Sequence, residues 1–402
     1  MEHAIDRARC LFATVRAAVA GGNLNLACDT ARTLAALDLS SAESRDQIQW
    51  TWTCAQLAQV EARNHHSLFS DRPRLAVLDY KTLDYTKASR NIGDYLQSLA
   101  GVVQIARFQE IDCADGSPIG EWISNLKTRI RPESRITGDH GRLALQIVDR
   151  DFSSGRCYKY PTWLLAFGWY MHGNFGALFD FPFGRHIRPI FLSFHVNNKQ
   201  LLSPDALAYL KMYGPIGCRD WSTVRLLRAA KVEAFFSGCL TLSLGALFGP
   251  VIREPNPSLR AALVDYEPEP GEFDGWDIQH FTHAMDVVRD SEIIANLSHA
   301  ERLLRIYREF DLVATSRLHC YLPCRALGVN VRFRERRLAD VRFEGLVNIS
   351  SEEVNRLRRS LEAKVGPVIA AIASGANEAD VYCRWRELCR DELKAARGCR
   401  EI

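Results

Sequence analysis

Residues 312–328 read LVATSRLHCYLPCRALG, and how this stretch divides decides the fold. The apolar run Leu312–Thr315 reads as a buried strand. Ser316 stands at a natural helix N-cap, so Arg317, Leu318 and His319 make the first turn of the helix that follows. Such a turn presents unpaired amide hydrogens and the positive end of the helix dipole, which suit a phosphate or carboxylate. A cation there opposes the dipole, so Arg317 needs a reason beyond local propensity. Either an anionic ligand or a nearby carboxylate of the protein supplies one. Pro323 predicts a bend or a broken first segment in the helix.

Working outward, residues 213–230 (YGPIGCRDWSTVRLLRAA) repeat the pattern: a turn-forming GPIG, then Arg219, then DWST at a helix start. Arg219 is either an ion-pair partner of Asp220 or Asp311, or a second ligand for an anion. Two arginines at strand-to-helix turns would converge on a doubly anionic small molecule. The planar guanidinium suits that task because it binds carboxylate and phosphate bidentately.

The same alternation runs through most of the chain. RLAVLDY, TWLLAFGWYM and IRPIFLSFHV read as strands, NIGDYLQSLAGVV and SPDALAYLKMY as helices, and AALVDYE as a strand inside a Pro- and Gly-rich loop. Strands alternating with helices predict parallel sheets covered on both faces, with ligands beyond the carboxyl ends of the strands. The expected division is a helical extension over 1–70, an α/β domain over 71–212, a second over 213–349, and closing helices over 350–402. Ser350 and Glu353 stand at capping-box spacing, and that tail is predicted to break at Gly366-Pro367 and at Ser374-Gly375. The N-terminal helices either contact a partner or cover the first domain.

Composition narrows the function. A chain of 402 residues, 47% hydrophobic and 25% charged, is ample for two cores. The net charge of +3, from 51 basic against 48 acidic residues, is too balanced to imply nucleic acid or a membrane surface, so any anion affinity is local. The 12 cysteines are scattered without a CxxC pair, which reads as reduced thiols in a cytoplasmic protein. Cys320, Cys324 and His319 lack a second ligand pair at zinc spacing, so no metal is expected. The longest uncharged run, 235–252, carries Gly, Ser, Thr and Pro, and reads as a buried strand and loop rather than a membrane span.

Seven segments in order resemble one family. They are NIGDYLQSLA (91–100), GWYMHG (168–173), PIFLSFHVNNKQLLSPDALAYL (189–210), GPIGCRDWSTVRLL (214–227), FFSGCLTLSL (235–244), LVATSRLHCYLPCRALG (312–328) and DVRFEGL (340–346). Across roughly residues 74–347 the chain resembles the polysaccharide pyruvyl transferases. The resemblance implies two Rossmann-like domains in a glycosyltransferase-B-like arrangement, here with an N-terminal helical extension. It implies transfer of the enolpyruvyl group of phosphoenolpyruvate to a saccharide, giving a pyruvate ketal and phosphate, with no cofactor. Arg219, Arg317, Leu318 and His319 fall on the family's donor-holding positions.

That chemistry asks for cations and backbone donors around a compact anion, and for an acid over its methylene carbon. His319, near the bound anion, is the expected proton donor. Asp94 matches an acidic position of the family and either orients or deprotonates an acceptor hydroxyl, or simply suits a helix N-terminus. His172 and His195 end strands, and either bond sugar hydroxyls or are satisfied buried histidines. Trp169, Tyr170 and Trp221 either stack on sugar rings or pack in the core. The GGG loop of many bacterial members is absent where GWYMHG stands, so acceptor geometry does not transfer. Two rival functions stay open: a glycosyltransferase using a nucleotide sugar, and an inactive scaffold binding a partner through its N-terminal helices.

Overall fold

The computed structural model describes residues 2–65, 71–113, 115–152, 160–170, 181–248, 258–336 and 340–398. Three helices lead: α1 (Glu2–Ala20), α2 (Leu24–Ala35) and α3 (Ser44–His65). Asn23 caps α2 by accepting from the Leu26 amide at 3.2 Å. The helices join the main hydrophobic core through Val15, Ala27 and Leu57. They also cover the segment after the first strand. Trp52 Nε1 donates to the Thr82 carbonyl at 2.7 Å, and Gln49 Nε2 to the Leu83 carbonyl at 2.8 Å.

Two parallel sheets follow among the described residues. The first is built from β1 (Arg74–Asp79), β2 (Ala144–Asp149), β3 (Thr162–Trp169), β4 (Ile187–His195), β5 (Ile216–Cys218) and β6 (Ala234–Phe236), in the order β2-β1-β3-β4-β5-β6. The second holds β7 (Arg260–Val264), β8 (Asp277–Phe281), β9 (Leu312–Thr315) and β10 (Val331–Phe333), in the order β10-β9-β7-β8. The helices between strands are α4 (Ile92–Ala106), α5 (Pro118–Lys127), α6 (Pro204–Tyr213), α7 (Trp221–Ala229), α8 (Asp286–Asp290), α9 (Ile293–Tyr307) and α10 (Leu318–Ala326). No helix of the described residues is long and apolar enough to cross a membrane.

The sheets do not divide where the sequence suggested. A boundary between 212 and 213 would place β5 and β6 in the second unit. Instead Cys218 pairs with Phe194 of β4, and Ile216 with Ala234 of β6, so both strands extend the first sheet. Each has three residues, and nothing local marks its sheet. The short crossover through α6 returns the chain beside β4.

The tail is α11 (Ser351–Ala373), α12 (Glu378–Leu388) and α13 (Arg390–Gly398). The expected capping box of Ser350 and Glu353 is present, and α11 ends at Ser374-Gly375. It does not break at Gly366-Pro367, because the following turns bury Val368, Ile369 and Ile372, and burial outweighs the proline's lost hydrogen bond. The chain then crosses back to the first sheet, where Trp385 Nε1 donates to the Pro215 carbonyl at 3.0 Å.

Helix α4 is the axis of the molecule. It is apolar on every side, and each of its residues except Asp94 is buried. Its one open position faces the cleft between the sheets.

Candidate functional site

Three strand-to-helix turns meet in a cleft of about 500 Å³. Asn91, Gly93 and Asp94 come from the start of α4, and Arg219 from the turn between β5 and α7. Ser316, Arg317, Leu318 and His319 come from the turn between β9 and α10. Arg219 therefore stands on the first sheet and Arg317 on the second, rather than sharing one half as expected. The two helix starts approach closely: a Cβ built on Gly93 would lie 3.2 Å from His319 Cβ. A side chain at 93 would crowd that approach.

The opening stretch folds nearly as read. Arg317, not Ser316, takes the N-cap position of α10. The Ser316 hydroxyl is drawn off to donate to the Asp265 carbonyl at 2.6 Å, and the Arg317 amide donates instead to Thr315 Oγ1 at 3.0 Å. Helix α10 runs through Pro323 without interruption. Proline has no amide hydrogen to offer the His319 carbonyl four residues back.

Charge dominates the walls. Arg150, Arg219, Arg317, Arg336 and Arg342 line the cleft against Asp94 and Asp340. Four of these arginines are paired within the protein, Arg150 with Asp151, Arg317 and Arg336 with Asp265, and Arg342 with Asp340, which leaves Arg219 as the cation most open to an anion. Arg219 is 3% exposed, and its Nε lacks a hydrogen-bond partner. The nearest carboxylate, Asp220, lies 3.6 Å away and is already engaged by His195 Nδ1 at 2.6 Å, Ser222 Oγ at 2.6 Å and the Thr223 amide at 2.9 Å. A buried guanidinium left with an open donor is costly unless a ligand completes it.

Arg317 has a protein partner: its Nε donates to Asp265 Oδ2 at 2.7 Å. That pairing orients the guanidinium at the cleft wall. Asp265 also accepts from the His283 amide at 2.9 Å and from Thr282 Oγ1 at 2.8 Å, on a backbone with φ of 47°. Burial would raise its carboxyl pKa, but these donors outweigh burial and hold it below the ordinary value.

His319 lines the cleft, and its Nε2 has no hydrogen-bond partner. Burial, then Arg219, His283 and Arg342, push its pKa well below the ordinary value, so without a ligand it is neutral. Asp94 is shifted the other way. Burial raises its pKa, with Arg150 and the Ser89 hydroxyl, which donates at 2.6 Å, opposing.

The remaining candidates separate. Trp169 lines the cleft, with Arg342 stacked 5.3 Å from its ring centre. Tyr170 is buried against Phe194, and Trp221 stacks on Phe236, so neither faces a ligand. His195 is fully buried and bonded to Asp220. It supports the carboxylate behind Arg219 and does not line the cleft. His172 lies outside the described residues. The sequence reading missed Arg150, Asp265, His283, Arg336 and Arg342. Among the described residues no group of three or more His, Cys, Asp or Glu side chains is placed to hold a metal ion.

No family model matches the chain, and no curated protein matches it. A functionally uncharacterized protein of Klebsiella pneumoniae subsp. pneumoniae, known as a crystal structure, is similar over 73% of this chain and 95% of its own, at 13% identity and a TM-score of 0.36. A likeness of that degree carries no argument about this chain.

Proposed function

We propose that this chain is a pyruvyl transferase, working in the cytoplasm on a glycosyltransferase-B-like scaffold. It moves the enolpyruvyl group of phosphoenolpyruvate onto a saccharide of a glycan precursor, forms a pyruvate ketal and releases phosphate. One observation carries the reading. Arg219, Arg317, Leu318 and His319, which the sequence resemblance singles out, line a single arginine-rich cleft although they come from two different sheets.

In this reading Arg219 and Arg317 hold the carboxylate and phosphate of the donor from the two sheets. The bound anion offsets the arginines that keep His319 neutral, and its pKa rises. The imidazolium then protonates the methylene carbon, leaving an oxocarbenium-like carbon next to the carboxylate. A sugar hydroxyl attacks that carbon and passes its proton to Asp94, whose raised pKa makes it the stronger base. The bond to the phosphate oxygen breaks, phosphate leaves with the electron pair, and a second hydroxyl closes the ketal. The methyl group keeps the proton from His319; of the two hydroxyl protons, one passes by way of Asp94 to restore His319 and one leaves on the phosphate.

Phosphate release from phosphoenolpyruvate, measured across galactoside, mannoside and lipid-linked sugar acceptors, tests the proposal. Wild-type protein is expected to turn over with at least one of them. Arg317→Ala and His319→Ala are expected to stay folded and to lose roughly a hundredfold or more, the scale of removing a group that stabilises the transition state. Binding is expected to take up a proton, so donor affinity falls as pH rises through the bound-state pKa of His319. Calorimetry in buffers of different ionisation enthalpy reads that uptake. Binding of a nucleotide sugar with none of phosphoenolpyruvate overturns the proposal.

A further inference from the structure

His283 follows β8 and lines the cleft, yet its side chain is wholly buried. Its two ring nitrogens have different surroundings. Nε2 is tied to the Tyr307 hydroxyl of α9 at 2.9 Å, and the two rings lie nearly parallel. Nδ1 is buried and has no hydrogen-bond partner. A buried polar atom without a partner is destabilising. Neighbouring groups of the same cleft show the same incompleteness, at Arg219 Nε and His319 Nε2. The three residues that carry these nitrogens line one cleft.

The backbone at 283 is fixed independently of its ring. Its amide donates to Asp265 at 2.9 Å, and its carbonyl accepts from Ile92, the first residue of α4, at 2.9 Å. The imidazole is thus held between the Arg317 side of the cleft and the start of α4. Tyr307 pins it from behind. Burial, followed by Cys320, whose thiol hydrogen-bonds the side chains of both Tyr307 and His283, raises the Tyr307 phenol pKa well above its ordinary value, so the O–H stays intact as a donor.

We infer that His283 is a further ligand-contacting residue of this cleft, whose Nδ1–H donates to an oxygen of the anion held between Arg219 and Arg317. Tyr307 acts through it as a positioning residue, donating to Nε2 so that the ring hydrogen sits on Nδ1. The ligand class is a phosphate-bearing anion. The inference rests on reading the cleft as an oxyanion site, and it adds a donor that the sequence resemblance does not supply.

Calorimetry on the full chain, with inorganic phosphate and then phosphoenolpyruvate, tests it. His283→Ala is expected to weaken phosphate binding roughly tenfold to a hundredfold, the range of one hydrogen bond to a charged group. His283→Asn keeps an N–H close to the Nδ1 position and is expected to retain affinity within about threefold, whereas His283→Gln behaves like the alanine variant. In Tyr307→Phe the ring hydrogen is expected to move between nitrogens, read from the nitrogen shifts of His283, with a smaller loss of affinity. Circular dichroism confirms that each variant is folded. Equal phosphate affinity in wild type and His283→Ala overturns the assignment, as does equal loss in the asparagine and glutamine variants. An unchanged tautomer in Tyr307→Phe overturns the role of Tyr307. A wild-type protein that binds phosphate through His283 but releases none from phosphoenolpyruvate with any acceptor leaves this inference standing and removes the pyruvyl transfer proposal.

Discussion

Asp265 shows how a single residue orders the site without touching a ligand. Its carboxylate collects Arg317 Nε, the His283 amide and the Thr282 hydroxyl, and its carbonyl takes the Ser316 hydroxyl. To do so it holds φ at 47°, a left-handed conformation that costs of order 1 kcal/mol or more for an ordinary residue. Asparagine tolerates that conformation, so Asp265→Asn removes the charge and leaves the backbone in place. We expect donor KM to rise roughly tenfold to a hundredfold, as for a lost charge-assisted hydrogen bond, with a smaller fall in kcat. If Asp265 acts through Arg317, the double variant with Arg317→Ala binds donor no worse than Arg317→Ala alone. Energies that simply add would show that Asp265 does something else. In sequence this residue is the Asp of AALVDYE, indistinguishable from a surface turn, because all its partners are distant in the chain. Arg317 was legible because a cation at a helix start contradicts local preference, and the contradiction is visible without the fold, whereas His319 was singled out by the sequence resemblance.

At the scale of elements, the site depends on two helix starts meeting at one glycine. In α4 the side chain of Asn91 accepts from the Gly93 amide at 3.1 Å, and a methyl group on Gly93 would stand 3.0 Å from that side-chain oxygen and 3.2 Å from His319 Cβ. Alanine favours a helix over glycine by about 1 kcal/mol, and the crowding opposes this gain. Gly93→Ala is therefore expected to melt within a few degrees of wild type while turnover falls roughly tenfold or more, since small displacements of a reacting group are expensive in rate. Wild-type turnover in a folded Gly93→Ala would show that this contact does not set the position of His319. Most elements were legible from the grammar of apolar runs and caps. Their ends were less so, and for physical reasons. Ser316 gave up the cap because a carbonyl from β7's end competed for its hydroxyl, and α11 ran through Pro367 because its far half is buried. Both outcomes are set by contacts that no local window contains.

Across the whole molecule, the assignment of strands to sheets was the part the sequence hid. Residues 216–218 and 234–236 are short buried runs, and only pairing with β4 shows that they carry Arg219 to the first sheet. The consequence is a site assembled from both sheets, held by a direct seam: the Met285 amide donates to the Arg90 carbonyl at 2.8 Å, and the Ile92 amide to the His283 carbonyl at 2.9 Å. Beside the seam, Arg289 donates to the Tyr85 hydroxyl at 2.6 Å and sits 3.6 Å over its ring centre, while Trp52 of α3 packs edge-on against Tyr85. One hydrophobic core then runs from Leu57 of the leading helices through Phe191 of the first sheet and Leu304 of α9 to Trp385 of the closing helices. Parts that share a core and a seam should unfold together, so we expect a single calorimetric transition rather than one per sheet. Phosphate at a hundred times its Kd should raise the stability of that transition by about 2.7 kcal/mol, the mass-action value for one site. If the anion is gripped from both sheets, Arg219→Ala and Arg317→Ala should each abolish most of this gain. Two separate transitions, with phosphate moving only one of them, would mean that the anion belongs to a single sheet and that the cleft does not work as one site.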